Sequence, residues 1–325
     1  MRKIVLSLVT LVACGLVSGA AAAPPRSGIF FYPWYGTPGY DGGWVHWQQA
    51  GAAPPATIAS SFYPARGIYS SSDALLLGAQ LAEIRAAGVD QVIVSWWGRG
   101  SAEDARLAAL LAAARAHGLS VGAHVEPYDG RTVASVERDV AYLRGLGIED
   151  VYVYRPFELS PLEWAAFNER VDGVRVWAET ALAGRAAAGR FDGLYTYDIL
   201  VHHAGKLHRI CAQARKVRLL CAPSVGPGYD ARRAGLDARV KPRRNGATYD
   251  SMWRAAIRAQ PDMVTITSYN EWHEGTQIEP ARARRGYESY DGAWGVRGRR
   301  AEHSYLDRTA YWTKTLASQP NTSAS

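Results

Sequence analysis

Short runs of β-branched and aromatic residues alternate with Ala-, Leu- and Arg-rich stretches along almost the whole chain. Eight such runs read as strands: 28–32, 91–95, 120–124, 151–154, 174–177, 193–197, 219–223 and 263–267. Helices are expected between them at 73–87, 102–117, 132–146, 161–171, 203–217 and 248–259, with a last one at 302–317. Gly88, Gly118 and Gly147 stand where helices should stop, because glycine enters the left-handed region without penalty. Ser101 and Ser160 are expected N-caps, the latter followed by Pro161 at the first helical position. Eight strands alternating with helices over this length is the pattern of a (β/α)8 TIM barrel, a single α/β domain. A doubly wound open sheet is the rival. No Gly-x-Gly-x-x-Gly turn follows the first run to support it.

The ends read differently. Arg2-Lys3, an apolar run from 4 to 17 and an Ala-rich stretch before Pro24 make residues 1–23 a secretory signal peptide. A lipobox reading of residues 11–14 would instead lipidate Cys14. Either way the mature chain leaves the cytoplasm, where disulfides persist. The barrel is then expected over 24–318, with 319–325 a flexible tail. Nothing after the leader reaches the length of a membrane span. Of 3 cysteines, Cys211 and Cys221 remain as a possible bridge or as two buried thiols. The net charge of +7 comes from scattered arginines with no nucleic-acid-binding motif beside them, which reads as solvated surface.

In a barrel of this type the site lies at the C-terminal ends of the strands. Those positions carry Tyr32-Pro-Trp34-Tyr35, Trp96-Trp97, His124-Val-Glu126, Tyr195-Thr-Tyr197-Asp198, a Pro223–Tyr229 segment and Asn270-Glu271-Trp272-His273-Glu274. Composition agrees, with 11 Trp and 18 Tyr against 6 Phe. Rings with a polar handle suit a wet surface that stacks against sugars. Glycosidic cleavage needs two carboxyl groups in different protonation states, and Glu271, Glu274 and Glu126 are the candidates. Two long loops, 33–72 and 280–302, are expected near this face. Metal chemistry finds no His-Glu-x-x-His or Cys-x-x-Cys spacing. Serine chemistry finds no Gly-x-Ser-x-Gly.

Six motifs carry a resemblance: FYPWYG at 31–36, GIYSSSD at 67–73, HVEPYDGR at 124–131, FDGLYTY at 191–197, PSVGPGYDAR at 223–232 and TSYNEWHEGTQIEPA at 267–281. Together they resemble glycoside hydrolase family 99, the endo-α-1,2-mannosidases and bacterial endo-α-1,2-mannanases. The resemblance implies a barrel, no cofactor, no metal, and cleavage inside an α-mannoside chain with retention of configuration. It implies that Glu271 acts on the sugar 2-hydroxyl and Glu274 serves as general acid/base. It places Glu126, Tyr195, Tyr197 and Trp97 against substrate, with Tyr32 and Tyr35 as further contacts, and His124, Asn270 and His273, which stand at the same strand ends, are expected to bind substrate too. After Tyr197 the chain departs from the family, reading Asp-Ile-Leu-Val-His-His where relatives carry Phe and a Gly/Ser-rich loop.

The partner implied is an α-mannoside oligo- or polysaccharide, acted on by a secreted monomer that binds no nucleic acid. Two rivals stand beside this reading: a non-catalytic carbohydrate-binding barrel, and a hydrolase of another α-linked glycan.

Overall fold

A computed structural model describes residues 25–319. The leader read at 1–23, Cys14 and all but the first residue of the expected tail lie outside the described residues.

Eight parallel strands close a barrel: β1 (Arg26–Phe31), β2 (Gln91–Trp96), β3 (Ser120–Val125), β4 (Asp150–Val153), β5 (Arg175–Glu179), β6 (Gly193–Thr196), β7 (Leu220–Val225) and, after a two-stranded hairpin of β8 (Tyr229–Asp230) and β9 (Val240–Lys241), β10 (Met263–Ile266). Closure is made at β1, where Gly28 is in register with Gln91 on one side and Thr265 on the other. The open-sheet alternative is thereby excluded. All eight expected strands are present, with ends displaced by up to two residues.

The helices follow their local signals. A one-turn α1 (Pro38–Asp41) opens the first long loop. Asp73 caps α2 (Ala74–Ala86) by accepting from the amides of Leu75 and Leu76. Ser101 caps α3 (Ala102–Ala116), and Thr132 and Ser135 form a reciprocal box at the start of α4 (Val133–Gly145). These helices stop before Gly88, Gly118 and Gly147, whose φ values of 73°, 67° and 88° are left-handed. Ser160 stands at the N-cap of α5 (Pro161–Asn168) but makes no capping hydrogen bond. Pro161 lacks an N–H, so one orphan donor of that turn is already missing. The chain continues through α6 (Ala183–Ala188), α7 (Ala204–Lys216), α8 (Ala247–Arg258) and α9 (Ser304–Ala317). The last of these begins two residues later than expected, after a 3-10 turn at Gly298–His303. Cys211 on α7 and Cys221 on β7 are disulfide-bonded, with 5.4 Å between Cα atoms.

Two cores result. The larger fills the space between strands and helices. The smaller fills the barrel and is aromatic: Phe30, Tyr32, Tyr152, Trp177, Tyr195 and Tyr197 with few aliphatic partners. Rings this large need small neighbours in the same layer. A Cβ on Gly193 would stand 2.5 Å from the Trp177 ring, and one on Gly28 would stand 2.4 Å from Met263. The floor is polar. Asp150 accepts from Arg175 at 2.7 Å, Trp177 at 3.0 Å and Gln91 at 2.9 Å.

The two long loops pack on each other at the C-terminal face. Bridges join Phe62 to Glu288 and Pro64 to Ala281. Trp47, buried in the first loop, donates to the Tyr69 carbonyl at 2.8 Å.

Candidate active site

The loop after β10 is folded on itself by backbone and side-chain bonds. Ser268 N–H donates to the Thr276 carbonyl at 3.0 Å, and the Ser268 hydroxyl accepts from Glu271 N–H at 2.8 Å. Asn270 clamps this loop to the end of β1. Its Oδ1 accepts from Tyr32 N–H at 2.7 Å and its Nδ2 donates to the Tyr32 carbonyl at 3.0 Å. The Tyr35 hydroxyl donates to the Asn270 carbonyl at 3.1 Å and accepts from Trp272 N–H at 3.0 Å. Behind the loop, the buried Glu279 carboxylate accepts from the Trp272 indole at 3.0 Å, the Tyr69 hydroxyl at 2.7 Å and Gln80 at 2.8 Å. Burial pushes Glu279 up to about 7.

These bonds present Glu271 and Glu274 from one turn. Glu271 Oε1 accepts the backbone N–H of His273 at 3.0 Å and of Glu274 at 3.3 Å. The Tyr197 hydroxyl donates to Glu274 Oε2 at 3.2 Å, and Tyr197 shares a short hydrogen bond with the Tyr32 hydroxyl. Burial, then the neighbouring Glu274 charge, drives Glu271 well above the usual carboxylate range. Burial likewise raises Glu274, to about 7, against the opposing hydrogen bond from Tyr197. Both carboxyls are harder to ionise than free glutamates, because burial and mutual repulsion disfavour two charges here. His273 does not relieve this. Burial lowers it to about 4, and its Nε2–H is spent on the His46 carbonyl at 2.8 Å. Its Nδ1 therefore faces Glu271 Oε1 at 3.6 Å as a lone pair rather than a cation.

A cavity of about 460 Å³ opens over the pair. Of the residues selected from sequence, Tyr32, Trp97, His124, Glu126, Tyr197, Glu271 and Glu274 line it. Glu126 accepts from Ser95 Oγ at 2.8 Å, and His124 Nδ1 lies 3.0 Å from its Oε1. Trp97 is 37% exposed at the mouth.

Tyr35, Tyr195, Asn270 and His273 do not reach the cavity. All four are buried behind its wall, where the first, third and fourth hold the loop as described. Tyr195 points inward like Tyr197 but one barrel layer deeper, its hydroxyl 2.9 Å from His124 Nε2. Sequence reasoning did not select Trp34, Tyr154, Asp198, Asp237 and Arg239, which also line the cavity. Tyr154 ends an expected strand and Trp34 sits inside a quoted motif, so both were findable. Asp237 and Arg239 come from the β8–β9 hairpin, whose two-residue strands leave no periodic signal.

A model of glycosyl hydrolase family 99 matches residues 26–318, nearly everything described. The chain belongs to that family. As a family 99 member it is a glycoside hydrolase, and its closed barrel is the family's fold. It is 33% identical to a glycoprotein endo-α-1,2-mannosidase-like protein of Danio rerio, over 78% of this chain and 70% of that one. It is 30% identical to a glycoprotein endo-α-1,2-mannosidase of Xenopus laevis, over 81% and 72% of the two chains. The solved family 99 endo-α-mannosidase of Bacteroides thetaiotaomicron superposes with a TM-score of 0.81 at 28% identity, covering 92% of this chain and all of that one.

Among the described residues no three His, Cys, Asp or Glu side chains converge as a metal-ion site. No described helix is long and apolar enough to cross a membrane.

Proposed function

We propose that the protein is an endo-acting, retaining hydrolase of α-1,2-linked mannosides, in mannan or in N-glycan-type branches, and that the sugar's own 2-hydroxyl is the nucleophile. The observation that carries this is the carboxyl pair: two desolvated carboxyls on one turn, opening into one cavity, with Glu274 at about 7. The names of the mannosidase relatives supply the substrate class.

The steps balance. Glu271 takes the proton of the 2-hydroxyl as O2 attacks C1 from the face opposite the leaving oxygen. Glu274 gives its proton to that oxygen as the C1–O bond breaks. A 1,2-anhydro sugar remains. Water then attacks C1, losing a proton to Glu274, while O2 recovers its proton from Glu271. Two inversions at C1 leave the configuration retained. In an α-mannoside the 2-hydroxyl and the leaving group are trans, so the attack geometry lies within the substrate, and an internal nucleophile has a large effective molarity. A carboxylate raised by burial is a stronger base toward a weakly acidic hydroxyl. The backbone N–H groups on Glu271 Oε1 fix its direction.

The Cys211–Cys221 bridge suits the oxidising exterior to which the leader would send the chain.

The test follows hydrolysis of an α-1,2-mannan and a short α-1,2-mannoside by proton NMR of the first-formed product. An α-anomer is expected. A first-formed β-anomer would defeat retention, and no cleavage of any α-1,2-mannoside would defeat the substrate class.

A further inference from the structure

The stretch after β6, Asp198-Ile-Leu-Val-His-His, is a partition between two cavities. Asp198 folds it by accepting from the amides of Leu200 and Val201, at 2.7 and 3.1 Å. Lys206 ties it down through the Val201 carbonyl at 3.0 Å. Ile199 and Leu200 face the catalytic cavity, whereas Val201 and His202 face a second one of about 720 Å³ between the strand ends of β4–β6 and the helices α6 and α7. Arg155 lines both, so the two spaces meet at that side chain.

The second cavity differs in charge. The catalytic cavity is lined by five carboxyls and two arginines, the second by four cationic side chains and two carboxyls. Glu158 stands 3.7 Å from Arg131 and from Arg155, and Glu179 stands 3.8 Å from the His202 ring. Of the four cations, Arg155 is paired with Glu158 and Lys206 with the Val201 carbonyl, which leaves Arg185 and Arg209. Arg209 makes no side-chain hydrogen bond or ion pair among the described residues. Arg185 lies over the Phe157 ring at 4.4 Å, which leaves its N–H donors free. That stacking also decides the ligand. A neutral sugar would use a bare aromatic face, and here Arg185 covers the face of Phe157. What the cavity offers instead is guanidinium N–H, whose fork matches the oxygens of a phosphate.

We propose that this second cavity is a subsite for a phosphate ester carried by the glycan, seated between Arg185 and Arg209 while the mannoside chain passes Arg155 into the catalytic cavity. The inference rests on the glycan substrate class proposed above. It predicts a preference for phosphate-decorated over neutral mannan, set by residues outside the chemistry.

The experiment compares a phosphodiester-bearing α-1,2-mannan with the same glycan after its phosphate is removed. The unmodified enzyme is expected to show the lower KM on the charged glycan. Arg185→Gln with Arg209→Gln, both on exposed helix surface, should raise that KM about tenfold, the loss of charge-assisted hydrogen bonds. KM on the neutral glycan and kcat on both should not move, which also shows the variant is folded. Added salt should narrow the preference. Inorganic phosphate should compete with the charged glycan and leave neutral cleavage alone. Inhibition of both by phosphate would instead place the anion in the catalytic cavity and overturn the proposal. Titration calorimetry of both glycans into the Glu271→Gln protein reads binding without turnover. A failed cleavage reaction would then count against the activity, and equal affinity for the two glycans would count against the subsite.

Discussion

Glu271 Oε1 accepts the backbone N–H of Glu274 at 3.3 Å, so the carboxyl of one catalytic candidate is held by the main chain of the other. The charge of Glu274 also raises Glu271, so a substitution at 274 alters both groups, and variants at the two should be compared on more than one substrate.

Glu274→Gln and Glu271→Gln should each reduce kcat on a mannoside by about 10²–10⁴-fold, the scale of general acid–base assistance. An aryl mannoside with a good leaving group separates them. Its leaving oxygen departs without a proton, so the Glu274 variant should regain much of its rate. The Glu271 variant should not, because O2 must still be deprotonated. Equal rescue of both variants would contradict the assigned roles.

A substrate whose scissile mannose lacks the 2-hydroxyl should be inert toward the unmodified enzyme while still binding. Normal cleavage of it would exclude O2 participation and would make Glu126, which lines the same cavity, the first choice for a direct nucleophile.

The rate should be bell-shaped in pH, because Glu271 must be ionised while Glu274 is protonated, and the upper limb should fall through about 7, where burial holds Glu274. Stability should follow that upper limb. Glu274 and Glu279 both titrate at about 7 in the fold against an ordinary 4.5. Between those values the folded chain holds protons that the unfolded chain has lost, so rising pH favours unfolding across that window. Thermal melts at about pH 5 and about pH 7.5 check the sign, and Glu279→Gln should flatten the slope.

Glu279→Ala should slow catalysis although Glu279 does not line the cavity. It takes the acceptor from the Tyr69 hydroxyl and from Gln80, buried donors whose lost partner costs about 1–3 kcal/mol each, and leaves the Trp272 indole N–H with the Tyr69 hydroxyl alone. Trp272 lies between the two catalytic candidates in sequence. A lower denaturation midpoint with an unchanged kcat would show that the loop keeps its shape without this support.

Chelation should leave the rate unchanged, since no cluster of metal-ligating side chains exists among the described residues. Loss of activity with a chelator, restored by one divalent ion, would contradict this.

How much of this was legible beforehand depends on which physical signal each residue left. The strands were legible because a parallel barrel buries both faces and writes continuous apolar runs. Glu271, Glu274 and Glu126 followed from asking what stands at strand ends. The direction of a side chain was harder to read. Tyr195 and Tyr197 share a face because strand residues alternate, yet barrel layers put one in the wall and the other beneath it. Asn270 and His273 sit among catalytic candidates in sequence and face away from the cavity, because loop residues have no fixed period. The helix α6, six residues long, was too short for any pattern to announce.

The seam where β1 meets β10 lies between the first and last elements of the barrel, and the loops that pair across it come from positions near 62 and near 288. Tyr32 is clamped by Asn270, and the carboxyl pair is backed by Tyr69 through Trp272 and Glu279. No contiguous half of the polypeptide therefore contains a working centre. During synthesis the ribosome must have released nearly the entire chain before any hydrolytic competence exists, and a chain cut within either long loop would have to reassociate to recover it.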